Sequence, residues 1–193
     1  LTSPKITAFF PIHRRNSIRS IIMSPTIDLS LASAADAEAI ASMSRDLIEY
    51  ALSWRWTPAR VAAQIRCPDA VVLVARDNKS LAGFAIMHFG EELAHLNLLT
   101  VKRSYQRRGL GGRLLKWLEA SALVAGIAVI ELEVRAQNQV AQAFYKSLGY
   151  EEVVLLPGYY EGKESAIRMV RILRMTYGLA AWLKRRHDLS LRF

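Results

Sequence analysis

The sequence predicts an α+β fold in three layers, a mixed and mostly antiparallel sheet flanked by helices, and three observations carry that prediction. Segments of strand period and of helix period follow one another in the order βααβββαβαββ. The early strands are joined by hairpin-length turns, which argues against a fully parallel, doubly wound sheet. The chain has 193 residues, 52% hydrophobic and 22% charged, enough for one sizeable core.

Ile27 to Leu31 alternates like a short strand, and Ser33 to Tyr50 carries Ala37, Ile40, Ala41, Met43, Leu47 and Ile48 at helical spacing behind a Ser33 N-cap. Thr57-Pro58 has N-cap and N1 chemistry for a second helix through Val61 and Ile65, broken at Pro68-Asp69. Val71 to Ala75 and Leu81 to Phe89 flank Asp77-Asn78-Lys79-Ser80 as a hairpin, and Leu93 to Val101 follows as a third strand. Leu110, Leu114, Leu118 and Ala122 then mark a helix ending near Gly126, and Val129 to Val134 reads as a strand. Gln137-Asn138 leads into a helix with Val140, Phe144 and Leu148, stopped by Gly149; Tyr150 to Leu156 and Ala166 to Leu173 are the last two strands. No apolar run approaches the length of roughly 18 residues that a membrane span needs, so the reading is of a soluble protein.

The two ends differ from the middle. Residues 1–23 lack periodicity, hold Lys5, Arg14, Arg15 and Arg19 without an acid, and end on Met23. They are read as an extension outside the core: a tag, upstream translation or a targeting segment. Residues 24–174 form the expected domain, and 175–193, with Leu179, Trp182 and Leu183 beside Lys184-Arg185-Arg186, a basic amphipathic helix. The net charge of +9 lies mostly in these ends. Such a tail offers a field to an acidic partner, RNA, a ribosome or a membrane surface, or serves solubility alone.

Between Val101 and the Leu110 helix stands Gln106-Arg107-Arg108-Gly109-Leu110-Gly111-Gly112. A strand, a Gly-rich turn and a helix start make an anion site, because the first helical N–H groups have no partner and point at the ligand. Glycine spacing alone leaves an ordinary turn equally open. There is no Gly-Lys-Ser/Thr for a Walker loop, and the loop does not fall in the first βα unit, as a dinucleotide fingerprint would.

On these residues the sequence resembles the GCN5-related N-acetyltransferase (GNAT) superfamily, whose Gln/Arg-x-x-Gly-x-Gly/Ala signature matches Gln106, Gly109 and Gly111 after the strand ending at Val101. The resemblance covers roughly 27–173 and is sharper to the RimI-like branch, the N-terminal acetyltransferases of bacterial ribosomal proteins. It rests there on 132–138 (Leu-Glu-Val-Arg-Ala-Gln-Asn), 143–150 (Ala-Phe-Tyr-Lys-Ser-Leu-Gly-Tyr) and Gly158-Tyr159-Tyr160 with Glu164 to Met169. The family often has Arg where Gly158 stands and Asn where Leu98 falls. The resemblance implies that acetyl-CoA is the co-substrate, held by Leu99, Thr100, Val101, Gln106, Arg107, Arg108, Gly109, Leu110, Gly111, Gly112, Asn138 and Tyr145. It further implies that a loop bearing Tyr159 and Tyr160, with Glu133, meets the acceptor.

Glu131, Glu133 and Arg135 alternate onto one face of their strand, opposite Ile130, Leu132 and Val134. An ammonium acceptor must lose a proton, so a carboxylate near it is chemically reasonable; Glu133 is the candidate base, Glu131 the alternative, and an ion pair with Arg135 or plain solvation the competing role. Tyr145, in the family's position, would donate to the departing thiolate; helical spacing also suits a core role. Asn138 caps a helix or contacts CoA. His13, His88, His95 and His187 are scattered, His88 and His95 are in reach of facing each other across a hairpin, and Cys67 is the single cysteine. No metal is assigned, direct transfer without an acyl-enzyme is preferred, and a reducing, cytoplasmic setting is expected. The leading acceptor is a protein N-terminal α-amine; a small-molecule amine and a non-catalytic acyl-CoA sensor are the alternatives.

Overall fold

The computed structural model describes residues 27–175. The extension assigned to 1–23 and, Met175 apart, the C-terminal helix assigned to 175–193 lie outside the described residues. The elements are β1 (Asp28–Leu31), α1 (Ala37–Leu47), α2 (Pro58–Arg66), β2 (Ala70–Asp77), β3 (Ser80–Phe89), β4 (Leu93–Val101), α3 (Leu110–Val124), β5 (Val129–Arg135), α4 (Gln139–Ser147), β6 (Glu151–Tyr160) and β7 (Glu164–Ile172). Their order is the predicted one. One seven-stranded sheet runs β1-β2-β3-β4-β5-β7-β6, antiparallel throughout except for the parallel pair β4 and β5. Among the described residues no helix is long and apolar enough to cross a membrane.

Strand alternation sends side chains to two cores. Leu73, Ala85, Met87, Leu96, Ile130 and Leu132 meet Leu110, Leu114 and Leu118 of α3 and Tyr145 of α4 on one face. Val72, Val74, Phe84, Ile86 and Leu98 meet Ile40 and Ala41 of α1 and Val61 of α2 on the other. Leu96 and Leu98 are two apart yet face opposite cores, because the register passes from Ile86↔Leu98 to Met87↔Leu96 and leaves Asn97 as an extra residue. That is a β-bulge, which bends its strand. Pairing between β4 and β5 is confined to Leu93↔Val129, Ala94↔Ile130 and His95↔Glu131. Beyond it β5 continues beside β7 to Arg135 and β4 beside β3 to Val101, so the sheet opens between them.

Two elements differ from expectation. The first helix ends at Leu47 rather than Tyr50, because the buried Glu49 carboxylate accepts from Ser44 Oγ and from the amides of Arg55 and Trp56, folding the chain back on itself. β6 runs on through Gly158, Tyr159 and Tyr160: the two tyrosines expected in a loop sit on a strand. Gly158 takes φ +63, and the register is irregular between Leu156 and Tyr160, so the strand continues past the glycine with a local irregularity.

Candidate active site

The opening between β4 and β5 is one wall-to-wall cleft of about 1610 Å³, larger than the roughly 300–1,000 Å³ of a typical small-ligand pocket. Its floor is Leu96 to Val101 of β4 and Glu133 to Arg135 of β5; α3's start and α4 close one side, Ile48 to Trp56 and Tyr159 to Glu161 the other.

At the α3 end, Gly109 is the N-cap, left-handed at φ +76, and brings no side chain to the helix amides. The first intrahelical acceptance is Arg113 N to Gly109 O, so the amides of Leu110, Gly111 and Gly112 lie ahead of the hydrogen-bond ladder and at the positive end of the helix dipole. Gln106 lines the cleft, and its Nε2 donates to Val101 O at 2.9 Å, tying the loop to the end of β4. Tyr105 adds a second tie, its hydroxyl 2.9 Å from Asp77 Oδ2. Arg107 lines the cleft with a left-handed backbone, φ 61. Arg108 does not line it; its guanidinium stands 5.9 Å from the Tyr105 ring. The two glycines also differ in purpose. A Cβ on Gly109 would meet nothing within 4 Å, so its backbone angle alone calls for glycine, whereas on Gly111 a Cβ would stand 3.2 Å from Phe144 Cζ. Helix packing, as well as ligand approach, keeps Gly111 small.

On α4, Asn138 Oδ1 accepts from Ala141 N at 3.0 Å, which makes it the helix cap, and it also borders the cleft. The buried face of α4 holds Gln142 and Tyr145, not Val140, which is 72% exposed. Gln142 is drawn inward because its Nε2 donates to the carbonyls of Arg135 and Ala136. Tyr145 is 8% exposed, edge-on to Phe144 and Tyr150. Burial, then the neighbouring Tyr160, pushes its phenol well above the usual range. Among the described residues its hydroxyl has no hydrogen-bond partner, and Tyr145 is one of the residues that line the cleft.

Glu133 lies across the opening with its side chain 4% exposed. Its competing role as an ion pair with Arg135 is overturned: Arg168 Nε donates to Oε1 at 2.7 Å and His95 Nε2 stands 2.7 Å from Oε2, while Arg135 pairs with Glu164 at 2.7 Å. Burial alone would raise the Glu133 carboxyl, but hydrogen bonds and charge from His95 and Arg168 prevail and hold it below its ordinary value. Sequence reasoning missed His95. It does face His88 across β3–β4, but its ring goes to Glu133 and to Asn97 Oδ1, 3.1 Å from Nδ1. The available signal was His95's place on the strand preceding the Gly-rich loop.

The far wall is tied to this floor. Arg135 Nη2 donates to Ile48 O and Tyr50 O at 3.0 and 2.9 Å and its guanidinium lies 4.4 Å from the Tyr50 ring. Ser53 N donates to Glu161 Oε1 at 2.9 Å. Tyr159 and Tyr160 meet edge to face at 5.0 Å, and Tyr160's hydroxyl donates to Glu133 O at 3.4 Å. Burial, with Tyr159 and Glu133 near, pushes the Tyr160 phenol up to about 12.

Residues 40–150 match the family model for the acetyltransferase (GNAT) family. The chain belongs to the GNAT family. It is an acetyl-CoA-dependent N-acetyltransferase of the RimI-like branch. Its relatives include the [ribosomal protein bS18]-alanine N-acetyltransferase of Escherichia coli K12, 40% identical over 101 residues that are 51% of this chain and 68% of that one. The N-alpha-acetyltransferase RimI of Mycobacterium tuberculosis is 34% identical over 109 residues, 54% of this chain and 67% of that one. The crystal structure of the ribosomal-protein-S18-alanine N-acetyltransferase from Escherichia coli superposes with a TM-score of 0.69 and 29% identity, covering 78% of this chain and 96% of that one. The GNAT co-substrate is acetyl-CoA, whose pyrophosphate is the kind of group that helix amides without a cap can receive.

Proposed function

We propose that this GNAT enzyme acetylates the α-amine of a protein or peptide N-terminus by direct transfer from acetyl-CoA. The observation that carries the reading is the groove over Glu133, walled by Tyr159, Tyr160 and the Ile48 to Trp56 turn, which Arg135 and the Ser53–Glu161 bond hold in place. A tyrosine pair suits a peptide, because each ring supplies apolar contact and each hydroxyl can bond a carbonyl or amide. The names of the Escherichia coli and Mycobacterium tuberculosis relatives support an N-terminal acceptor. Ribosomal proteins are the acceptor class we favour, and the basic stretch after Lys163 would favour an RNA-rich partner electrostatically.

In this reading the α3 amides with Gly109, Leu110, Gly111, Gly112 and Arg107 hold the pyrophosphate, and Leu99, Thr100 and Val101 offer the β4 edge that β5 leaves unpaired. Asn138 borders the same channel. Glu133, with His95 and Arg168, supplies the proton-accepting side, and the Tyr145 hydroxyl donates to the departing sulfur. An α-amine, with an ordinary pKa of roughly 8, gives up its proton more readily than a lysine near 10.4. Cys67 caps α2 and is not among the cleft-lining residues, in keeping with transfer that forms no acyl-enzyme.

The test compares three acceptors: a peptide with a free N-terminal Ala or Ser, the same peptide blocked at its N-terminus but bearing a lysine, and spermidine. We expect the free N-terminus to give the highest kcat/KM, reduced by Tyr159→Ala or Tyr160→Ala. A preference for the blocked peptide or spermidine that these variants leave unchanged would overturn the N-terminal reading.

A further inference from the structure

Both oxygens of Glu133 are engaged, Oε1 by Arg168 and Oε2 by His95, and the carboxylate is almost wholly enclosed. The His95 side chain is 32% exposed against 4% for Glu133 and borders the cleft. The carboxylate is thus the enclosed member of the pair and the imidazole the exposed one, its Nδ1 facing a neutral side-chain amide, Asn97, rather than a charged partner.

The geometry points to His95 Nδ1 as the atom that takes the proton from the acceptor's ammonium group, directly or through one water, with Glu133 as the residue that positions the ring. The proposal rests on the amine-acetylation reading of this cleft. An ionised carboxylate only accepts hydrogen bonds, so the ring nitrogen facing Glu133 must carry a hydrogen, and in the neutral ring the free lone pair is on Nδ1. Once protonated, Nδ1–H has an acceptor in Asn97 Oδ1, 3.1 Å away. Asn97 is the bulge residue of β4, so the irregularity that opens the sheet also sets this acceptor beside the ring.

The step balances. The ammonium proton passes to Nδ1, and the amine nitrogen forms its bond to the acetyl carbon as the carbon–sulfur bond breaks with its electron pair on sulfur. A second proton from that nitrogen ends on the sulfur by way of Tyr145, and His95 releases its proton to solvent. The products are an acetamide, a free thiol and one proton.

The groups facing His95 are Glu131 and Glu133 of β5, Asn97 on β4, His88 opposite on β3, Arg168 of β7 and, beyond Glu133, Tyr159 of β6. The Glu133 bond is the largest influence and raises the imidazole above its ordinary 6.5, against burial, which lowers it. Loss of Glu133 should therefore bring it down.

The experiment uses the full chain. The His95 ring is titrated by NMR in wild type and Glu133→Gln, and pH profiles of kcat/KM are recorded for wild type and His95→Gln with whichever amine wild type acetylates fastest. Acetyl-CoA affinity is measured by calorimetry. Glutamine retains a donor for Glu133 but cannot titrate. We expect the wild-type ring to titrate above 6.5 and lower in Glu133→Gln, and His95→Gln to lose about 10²–10⁴-fold in kcat/KM, without the acidic limb and with acetyl-CoA affinity retained. An unshifted ring in Glu133→Gln, or a His95→Gln enzyme that keeps wild-type kcat/KM and its acidic limb, overturns the proposal. Faster acetylation of spermidine than of peptide would instead sink the N-terminal acceptor and leave the role of His95 to the same titrations.

Discussion

Gly111 on α3 lies so close to the Phe144 ring on α4 that a Cβ added to it would stand 3.2 Å from Phe144 Cζ. The start of α3 is thus seated against the helix that carries Tyr145. Overpacking of this kind costs about 1–3 kcal/mol, or a fall in Tm of roughly 2–10 °C for a domain of this size. Gly111→Ala should show that fall and weaken CoA binding in calorimetry, and Phe144→Leu in the same chain should restore part of both. A double variant no better than the single would mean that the glycine answers to the ligand alone.

Gly109 has no neighbour to clash with, so its substitution costs only backbone conformation, about 1–2 kcal/mol for an L-residue held left-handed. Asn tolerates this region better than Ala. Thermal melts should therefore rank Gly109→Asn above Gly109→Ala. Equal melting would show that the φ of +76 is not imposed by the fold.

The Tyr145 hydroxyl is buried and has no partner among the described residues. Burying such a group costs about 1–3 kcal/mol, so Tyr145→Phe should melt no lower than wild type. Turnover should nonetheless fall about 10²–10⁴-fold if the hydroxyl serves the leaving sulfur. Intact stability with intact turnover would return Tyr145 to the core.

Arg135 holds Ile48 O and Tyr50 O with one nitrogen and Glu164 with another. Lysine keeps the charge but not the fork. Arg135→Lys should raise the acceptor KM on the order of tenfold, the worth of about 1.4 kcal/mol, with the acetyl-CoA KM unchanged. Equal changes in both KM values would contradict a role confined to the acceptor wall.

The order of elements was legible because apolar periods and Gly or Pro stops are local. Leu110, Leu114 and Leu118 mark α3 and are all buried, and Glu133 was legible as a charged position between two core residues of β5. What was not legible depends on neighbours distant in the chain. His95 meets Glu133 across 38 positions, a contact that needs the β4–β5 rung to be known. Val140 looked like core because it is apolar, but a polar residue, Gln142, takes the buried face to satisfy two carbonyls. The family resemblance puts Tyr159 and Tyr160 in a loop, yet here the sheet continues through them.

The His95–Glu133 pair also sets a pH window for stability. His95 is raised in the fold, so its contribution is fully present below the unfolded value of 6.5 and lost as pH rises through the folded one. Glu133 is lowered, so its contribution is present above 4.5 and lost as pH falls through the folded value. Between these two limits both act. Going from near 6 towards alkaline pH, wild type should lose more Tm than His95→Gln; parallel curves would mean that the pair contributes nothing to the fold.

In the function we propose, one cleft, opened where β4 leaves β5, holds acetyl-CoA and the acceptor's α-amine together. The most direct measurement of this is the calorimetric affinity of a conjugate in which the N-terminal amine of a short peptide is joined to CoA through an acetyl bridge. Tethering makes the second half's binding intramolecular, a gain of about 10²-fold or more when both sites are engaged at once. We predict that the conjugate binds at least that much more tightly than CoA, and that Tyr160→Ala removes most of the gain while leaving CoA affinity unchanged. A conjugate that binds no more tightly than CoA would contradict the shared cleft.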